Sequence, residues 1–598
     1  MVTIGAFLCG YLYPGILPMV CLFFLFMKHF FLLMRGWPAS GLLILLVLMG
    51  QAARAQAPAW QTAVATAQTA SNLALVTATA SANGNVYITG AFLGTVTLGG
   101  TTLTSVTSNY QDVFVAKWNS ITNQFVWAVQ AGGSQGDIAN ALTVSGNNIY
   151  IAGNIYSSTA SFGTSTLSNA GRTDVFVAKL MDAGTSASFI WAQQAGGPSD
   201  DFATAIALDG TSVYLGGSFG GTIASFGGIS LAGAGASDVF VAKLQDAGST
   251  SSFVWAQGAG SMGYDGVSGL ALGGGNIYVS GSLAGPTATF GSTTLNNANG
   301  YDLYVAKLTD AGATGRFVWA QSTGGSGLKS GDAITVSGSS VYVAGSFFGA
   351  TTFGGIALTS AGNYDVYVAK LTDTGPSAAF SWAVRAGGAG YDAAYALALT
   401  GNSLYIGGTF DGTLADFGTT TLLGAGASDV YVAKLVDAGS SAGFTWAQRA
   451  GGSGYDYVGG LALSGSSIYV GGSFQPPTAI FSAITLTTPA TGNSAGFLAS
   501  LTDPTLTATK SGQGNLIFTL APNPARTSTT VQLPALPGTA SATLTLLDAL
   551  GRAVRTATVA LPPAGLRHEL NLSGLAPGLY ALRVQAGPAT ATRRLVVE

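Results

Sequence analysis

The chain has 598 residues, room for several domains, yet only 22 are Lys or Arg, 25 Asp or Glu and 2 His, giving a net charge of −3. A mean hydropathy of +0.42 would suit a membrane protein, but beyond the N-terminus the apolar runs fall far short of the ~20 residues a spanning helix needs. Packed β-structure with glycine turns (there are 86 glycines) is the simpler account, and 12 Lys/Arg against 22 Asp over residues 57–510 argue against a nucleic-acid partner.

Residues 5–34 are almost wholly apolar, and a second apolar run, Gly41–Met49, lies between Arg35 and Gln51-Ala-Ala-Arg-Ala-Gln-Ala. A basic residue, an apolar core and small residues at a cleavage site make residues 1–56 a signal-peptide region, cut after Ala55 or Ala57. The stretch is longer than a signal needs, so translation from Met27 or Met34, leaving 1–26 untranslated, is expected; the alternative is an N-terminal membrane helix. Both cysteines, Cys9 and Cys21, lie here, so the mature protein would have neither disulfide nor thiol chemistry, and no membrane span.

From residue 57 the chain repeats. Asp-Val-Phe-Val-Ala-Lys begins at Asp112, Asp174 and Asp238, and returns in variant form at Asp302, Asp365 and Asp429, at intervals of 62, 64, 64, 63 and 64 residues. A worn copy, Gly496-Phe-Leu-Ala-Ser, closes the series, and Trp60, Trp127, Trp191, Trp255, Trp319, Trp382 and Trp446 keep the same phase. Short runs of Val, Ile, Tyr and Phe between Gly, Ser, Asn and Asp are strands, and a fixed period marks a repeat architecture. Four strands fit each unit; in the second they are Asp137–Val144, Asn148–Gly153, Asp174–Leu180 and Phe189–Gln193. The expected fold is all-β: a seven-bladed β-propeller of four-stranded blades over 57–503, with an open solenoid as the alternative. Trp60 stands in the fourth-strand register with no strands before it, and the last unit lacks that strand, so the N-terminal strand should close the last blade.

The order Trp-Ala-x-x-Ala-Gly-Gly-x-x-x-Asp, Ile-Ala-Leu, Val-Tyr-Val-x-Gly, Asp-Val-Phe-Val-Ala-Lys-Leu resembles the bacterial SBBP-type β-propeller repeat across residues 57–501, a resemblance that implies fold more than activity.

After Asp503 the repeat stops. Residues 504–514 form a polar linker opened by Pro504, and the remainder turns basic, with seven arginines against Asp548, Glu569 and Glu598. Strands at Ala542–Leu547 and Leu579–Val584, with turns at Asp548–Gly551 and Pro577-Gly578, fit a small C-terminal β-sandwich over 515–598. Its motifs are Ala521-Pro522-Asn523-Pro524, Leu547-Asp548-Ala-Leu-Gly551-Arg552 and Leu572-Ser-Gly-Leu-Ala-Pro-Gly578-Leu-Tyr580. They resemble the type A C-terminal sorting domain of the type IX secretion system of Bacteroidetes. That resemblance implies the secretion machinery as partner, passage across the outer membrane, and a secreted or outer-surface location. An ordinary immunoglobulin-like binding domain is the alternative.

Residues 57–510 contain no His, Cys or Glu. Ser-His-Asp, Cys-His and His/Cys metal chemistry are therefore absent, and no Asp-x-Asp-x-Asp-Gly calcium loop occurs, so no cofactor is expected. His568, beside Glu569, is expected to be a solvated strand residue. Asp is the one carboxylate of the repeat, and it falls into three registers. One opens the Asp-Val-Phe strand, and one sits in Asp-Ala-Gly turns (Asp182, Asp246, Asp310, with Asp373 and Asp437 close variants). The third, Asp137, Asp201, Asp265, Asp332, Asp392 and Asp456, would begin the innermost strands, as a candidate channel-mouth ring for a cation or cationic ligand. The structural alternative has each accept backbone N–H groups, or pair with a blade lysine (Lys117, Lys179, Lys243, Lys307, Lys370, Lys434). The tryptophans are expected to pack blades rather than bind sugar. Arg385 and Arg449 break the symmetry in adjacent units, and with Asp411, Asp416 and Lys329 nearby they are a candidate surface patch. These features point to a non-catalytic surface protein that binds a glycan or protein or serves as a structural module; the alternative is a secreted Asp-dependent polysaccharide-acting enzyme.

Overall fold

The computed structural model describes residues 57–66, 72–297, 301–488, 494–506, 518–533, 541–548, 553–562, 565–586 and 589–598. The signal-peptide region, most of the 504–514 linker, Gly551 and Arg552 lie outside them. Among the described residues strand follows strand from Trp60 to Val597, with no helix.

The repeat region is propeller-like. In the second unit Asp137–Ser145, Asn148–Ile155, Asp174–Asp182 and Ala187–Ala195 pair antiparallel in chain order. The third of these is buried without a break from Asp174 to Leu180, because neighbouring units cover both its faces; its apolar side chains therefore do not alternate with polar ones. A bulge at Asn140 in the first strand and another between Lys179 and Leu180 interrupt the ladders, and both recur at the same places in other units.

First strands pack side by side around a ring: Leu73–Ala82 lies against Asp137–Ser145 on one side and Asp456–Ser464 on the other. The last unit contributes Asp456–Ser464, Ser467–Phe474 and Ala495–Thr502, and its fourth strand is Trp60–Ala65. That strand is held by more than its ladder. Trp60 Nε1 donates to the Arg449 carbonyl (2.9 Å), and its ring meets Phe481 edge-on at 5.2 Å.

Four strands do not exhaust a unit. Between the second and third strands a hairpin appears that the sequence reading lacked, Thr159–Phe162 with Ser165–Ser168 in the second unit. Its Ala160 and Ser161 pair with Gly133 and Gly132 at the end of the preceding unit's fourth strand. Its Phe162, fully buried, packs on Phe176 (4.7 Å) and edge-on to Phe189 (5.5 Å) of its own unit. The hairpin thus bridges two neighbouring units. The repeated Gly-Gly is what lets it approach: a Cβ on Gly133 would stand 2.1 Å from the Thr159 carbonyl oxygen.

Beyond the repeat, Thr519–Ala521, Ser528–Leu533 and Leu566–Asn571 form one antiparallel sheet. Ala553–Ala560, Ser541–Leu547, Gly578–Ala586 and Ala589–Val597 form a second, and Val531, Leu544, Leu570, Leu582 and Leu595 from both sheets share one core.

Candidate functional site

The turn aspartates join neighbouring units. Asp246 of the third unit accepts Lys179 Nζ (2.6 Å), the Tyr150 hydroxyl (2.6 Å) and Trp191 Nε1 (3.1 Å), all from the second unit, and its own Gly248 N–H (2.9 Å). Lys179 also lies 5.7 Å from the Tyr150 ring centre. The same latch recurs at Lys117–Asp182, Lys243–Asp310, Lys307–Asp373, Lys370–Asp437 and, after the last unit, Lys434–Asp503. Burial alone would raise the Asp246 carboxyl, but the Lys179, Tyr150, Gly248 and Trp191 donors outweigh it and hold the group below its ordinary value. The blade lysines thus pair with the turn register. Trp127, Trp191, Trp255, Trp319 and Trp382 supply Nε1 to these latches from 3–4 % exposure, which closes their faces to sugars.

The six carboxylates expected at a channel mouth are held differently. Asp137, Asp201, Asp265, Asp392 and Asp456 are 0–2 % exposed, and Asp332 is half-buried. Asp201 accepts Gly197 N–H (2.6 Å) and Gly220 N–H (3.0 Å); Asp456 accepts Gly452 N–H (2.7 Å) and Gln475 N–H (3.2 Å); Asp137 accepts Tyr156 and Ser157 N–H. Each ties the Gly-Gly loop, the strand it opens, or the end of the next strand together. A ring of open carboxylates is not what they form.

All but Asp332 also meet a carboxylate of the first register. At Gly196, in the left-handed region (φ +150°), an added Cβ would lie 2.5 Å from Asp174 Oδ1 and 2.7 Å from Asp201 Oδ2. The same convergence occurs for Asp365 with Asp392 and Asp429 with Asp456. Burial first, opposed by backbone donors and reinforced by the neighbouring Asp174 charge, pushes Asp201 up to about 7. Asp392 and Asp456 also rise to about 7, and Asp112 and Asp332 to about 6, in each case chiefly by burial.

The symmetry-breaking cations belong to these pairs. Arg385 Nη1 reaches Asp365 Oδ2 (2.6 Å), Arg449 Nη1 reaches Asp429 Oδ1 (3.0 Å), and the inserted Lys329 reaches Asp302 (3.2 Å). Exposed Arg385 and half-buried Arg449 each neutralise a buried carboxylate on the third strand of their own unit. Asp411 and Asp416 bind locally, to Tyr391 N–H (2.5 Å) and the Thr421 hydroxyl (2.6 Å).

A feature the sequence reading missed lies at the end of the ring where first and third strands begin. Tyr391 precedes Asp392, Tyr455 precedes Asp456 and Tyr364 precedes Asp365, while Phe348 follows a second strand. Phe348 and Tyr364 are 5.6 Å apart, Tyr364 and Tyr391 5.0 Å, and Tyr455 and Tyr457 stack at 6.5 Å with ring planes 8° apart. The recurrence of Tyr-Asp at those loop ends was the available signal.

In the C-terminal region the Ala521-Pro-Asn-Pro motif pins the last strand. Asn523 Oδ1 accepts Val596 N–H (2.9 Å), the Pro522 carbonyl accepts the Thr529 hydroxyl (2.8 Å), and just past Pro524 the Ala525 N–H donates to Val596 (2.9 Å). Residues 519–598 match the Secretion system C-terminal sorting domain. The sorting domain marks a protein that is secreted and attached to the outer cell surface through the type IX system, whose machinery is its partner. Within it Asp548 directly follows Ser541–Leu547, Gly578 opens the Gly578–Ala586 strand, and the Tyr580 hydroxyl donates to the Ala576 carbonyl (2.9 Å) across the Ala-Pro-Gly turn. Among the described residues no helix is long and apolar enough to cross a membrane.

No curated protein is a significant match to the chain. Among solved structures, a mutant of Trypanosoma rangeli sialidase displaying trans-sialidase activity is similar at 10 % identity and a TM-score of 0.27, over 90 % of this chain and 87 % of that one. Trypanosoma rangeli sialidase in complex with the inhibitor DANA is similar at 10 % identity and a TM-score of 0.25, over 89 % and 84 %.

Proposed function

We propose that this is a non-catalytic binding protein of the outer cell surface: a seven-bladed β-propeller of SBBP type closed by its N-terminal strand, carried out by a C-terminal β-sandwich sorting domain. The observation that carries the non-catalytic reading is where the carboxylates go. Glycoside hydrolysis needs two carboxyl groups facing a substrate. The paired carboxyls, Asp174 with Asp201 and Asp365 with Asp392, each include a group whose pKa is raised as such chemistry requires, Asp201 and Asp392, but both pairs are at most 1 % exposed and covered by the Gly-Gly loops. The turn aspartates are occupied by Lys, Tyr and Trp donors.

The alternative, an Asp-dependent polysaccharide-acting enzyme, draws on those same carboxyl pairs and requires the loops to open. A screen of the full chain against soluble polysaccharides and surface-protein extracts separates the two, with reducing-sugar release followed in the same wells. Retention without release is expected; sustained release of reducing ends by the purified chain would overturn the proposal.

A further inference from the structure

We propose that the aromatic cluster over the fifth, sixth and seventh units is a binding platform for a neutral polysaccharide. The inference rests on the binding-protein reading and gives that reading its site and ligand class. Phe348, Tyr391, Tyr455 and Tyr457 expose 43, 37, 48 and 43 % of their surface. They form a run of rings with Tyr364, each at stacking or edge distance from its neighbour within the two groups. Tyr391 and Tyr455 immediately precede the first strands Asp392–Thr400 and Asp456–Ser464, which pack against each other, so the two groups lie at the same end of neighbouring units.

The platform is pinned. Asp411 Oδ1 accepts Tyr391 N–H (2.5 Å) and Gln475 Oε1 accepts Tyr455 N–H (3.1 Å), each acceptor lying 20 residues after its tyrosine. In the fourth unit the equivalent Tyr264 has Ala284 at that place and is 64 % exposed. Fixing the loops before a ligand arrives removes part of the ordering cost of binding.

Ligand chemistry follows from what surrounds the rings. All but one are tyrosines, an apolar face with a hydrogen-bonding tip, suited to the C–H face and hydroxyl rim of a pyranose. The nearby cations Arg385 and Arg449 are committed to Asp365 and Asp429, while Asp411 stands at the edge of the rings. A field of that sign repels polyanions and leaves uncharged chains as the class accepted.

The test is affinity electrophoresis of the full chain in gels containing a neutral polysaccharide (xylan, mannan, β-glucan or starch) or an anionic one (alginate or polygalacturonate). Retardation by at least one neutral polymer and by neither anionic one is expected. The Tyr455→Ala/Tyr457→Ala and Tyr391→Ala variants should weaken it tenfold or more with unchanged thermal unfolding, and Tyr264→Ala should not. Retardation that survives the three substitutions, confinement to the anionic gels, or none in any neutral gel would overturn the site; sugar release would instead overturn the non-catalytic reading.

Discussion

Asp201 and Asp246 belong to one unit and both are buried, yet they titrate in opposite senses. Asp246 faces an ammonium, a phenol and an indole N–H, and is held ionised. Asp201 faces backbone amides and another carboxylate, and burial with that neighbouring charge lets it keep its proton up to about pH 7. The signs of their linkage differ accordingly. A carboxyl whose native pKa is raised contributes stability that is complete below about pH 4, where the unfolded group also keeps its proton, and is lost as pH rises through the native value. With Asp112 and Asp332 near 6 and Asp201, Asp392 and Asp456 near 7, that loss should spread from about pH 4 to pH 7. The latch carboxylates act the other way: their contribution is present above about pH 4 and fades as pH falls through their lowered values, Asp503 at about 2. Denaturant midpoints measured from pH 3 to 8 should therefore peak between about 4 and 5, and a maximum at neutral pH would refute the assignment. Arg385→Gln sharpens the test. In the second unit Gln194 already sits on Asp174 where Arg385 sits on Asp365, so the variant should fold but lose more stability than the native chain between pH 5 and 8. Asp246→Asn should be costlier, about 3 kcal/mol by chemical denaturation, because it leaves Lys179 buried without its anion. The sequence shows which aspartates share a register, since spacing is visible. It does not show that Arg385, Arg449 and Lys329 serve Asp365, Asp429 and Asp302, because those partners meet only when the third strand lies beside the fourth or the Lys329 insertion folds back.

At the scale of strands, the N-terminal segment Trp60–Ala65 does work out of proportion to its length. It pairs with Ala495–Thr502, and Thr62 and Ser500 join hydroxyls across that ladder at 2.7 Å. Without it Ala495–Thr502 becomes an open edge, with unpaired N–H and C=O groups. Removing residues 57–66 should therefore lower the unfolding temperature and produce concentration-dependent association, seen by calorimetry and size-exclusion chromatography. An unchanged melt and a monomeric profile would show that the ladder contributes little to closure. Trp60 was legible as this strand because it carries the seventh tryptophan in phase. The hairpins were not, although their signal recurs as Phe162-Gly163-Thr-Ser-Thr-Leu167, Phe226-Gly227-Gly-Ile-Ser-Leu231 and Phe290-Gly291-Ser-Thr-Thr-Leu295. Four-residue strands rich in Ser and Thr have too few apolar positions to register as alternation: in the second unit only Ala160, Phe162 and Leu167 are buried. The tyrosine platform escaped for another reason: its Tyr-Asp pairs recur in the sequence, but its rings come from loop ends of three units and meet only when the units stack.

Across the whole molecule, the repeat and the sorting domain rest on separate cores. The repeat buries its apolar residues among units, ending with Leu506 in the last cluster, whereas Phe518 to Val597 form a core of their own. Among the described residues, nothing in the latches, carboxylate pairs or hairpins draws on a residue beyond Thr505. Deleting residues 519–598 should thus leave the repeat folded, with its pH profile and any polysaccharide retardation unchanged, while abolishing its appearance at the outer surface. Surface proteolysis of intact cells alongside fractionation reads both at once. The truncated chain is expected inside the cell envelope and protected from added protease. A subtler variant, Asn523→Ala, removes the acceptor that holds Val596 and should weaken the Ala525–Val596 clasp without touching the repeat. If the machinery reads the folded sheet pair, this variant should be exported less; if it reads a linear stretch of sequence away from Asn523, export should stay normal while the isolated tail loses stability. Loss of polysaccharide retardation on tail deletion would mean instead that the sorting domain contributes to the ligand site, contrary to a platform confined to Phe348, Tyr364, Tyr391, Tyr455 and Tyr457.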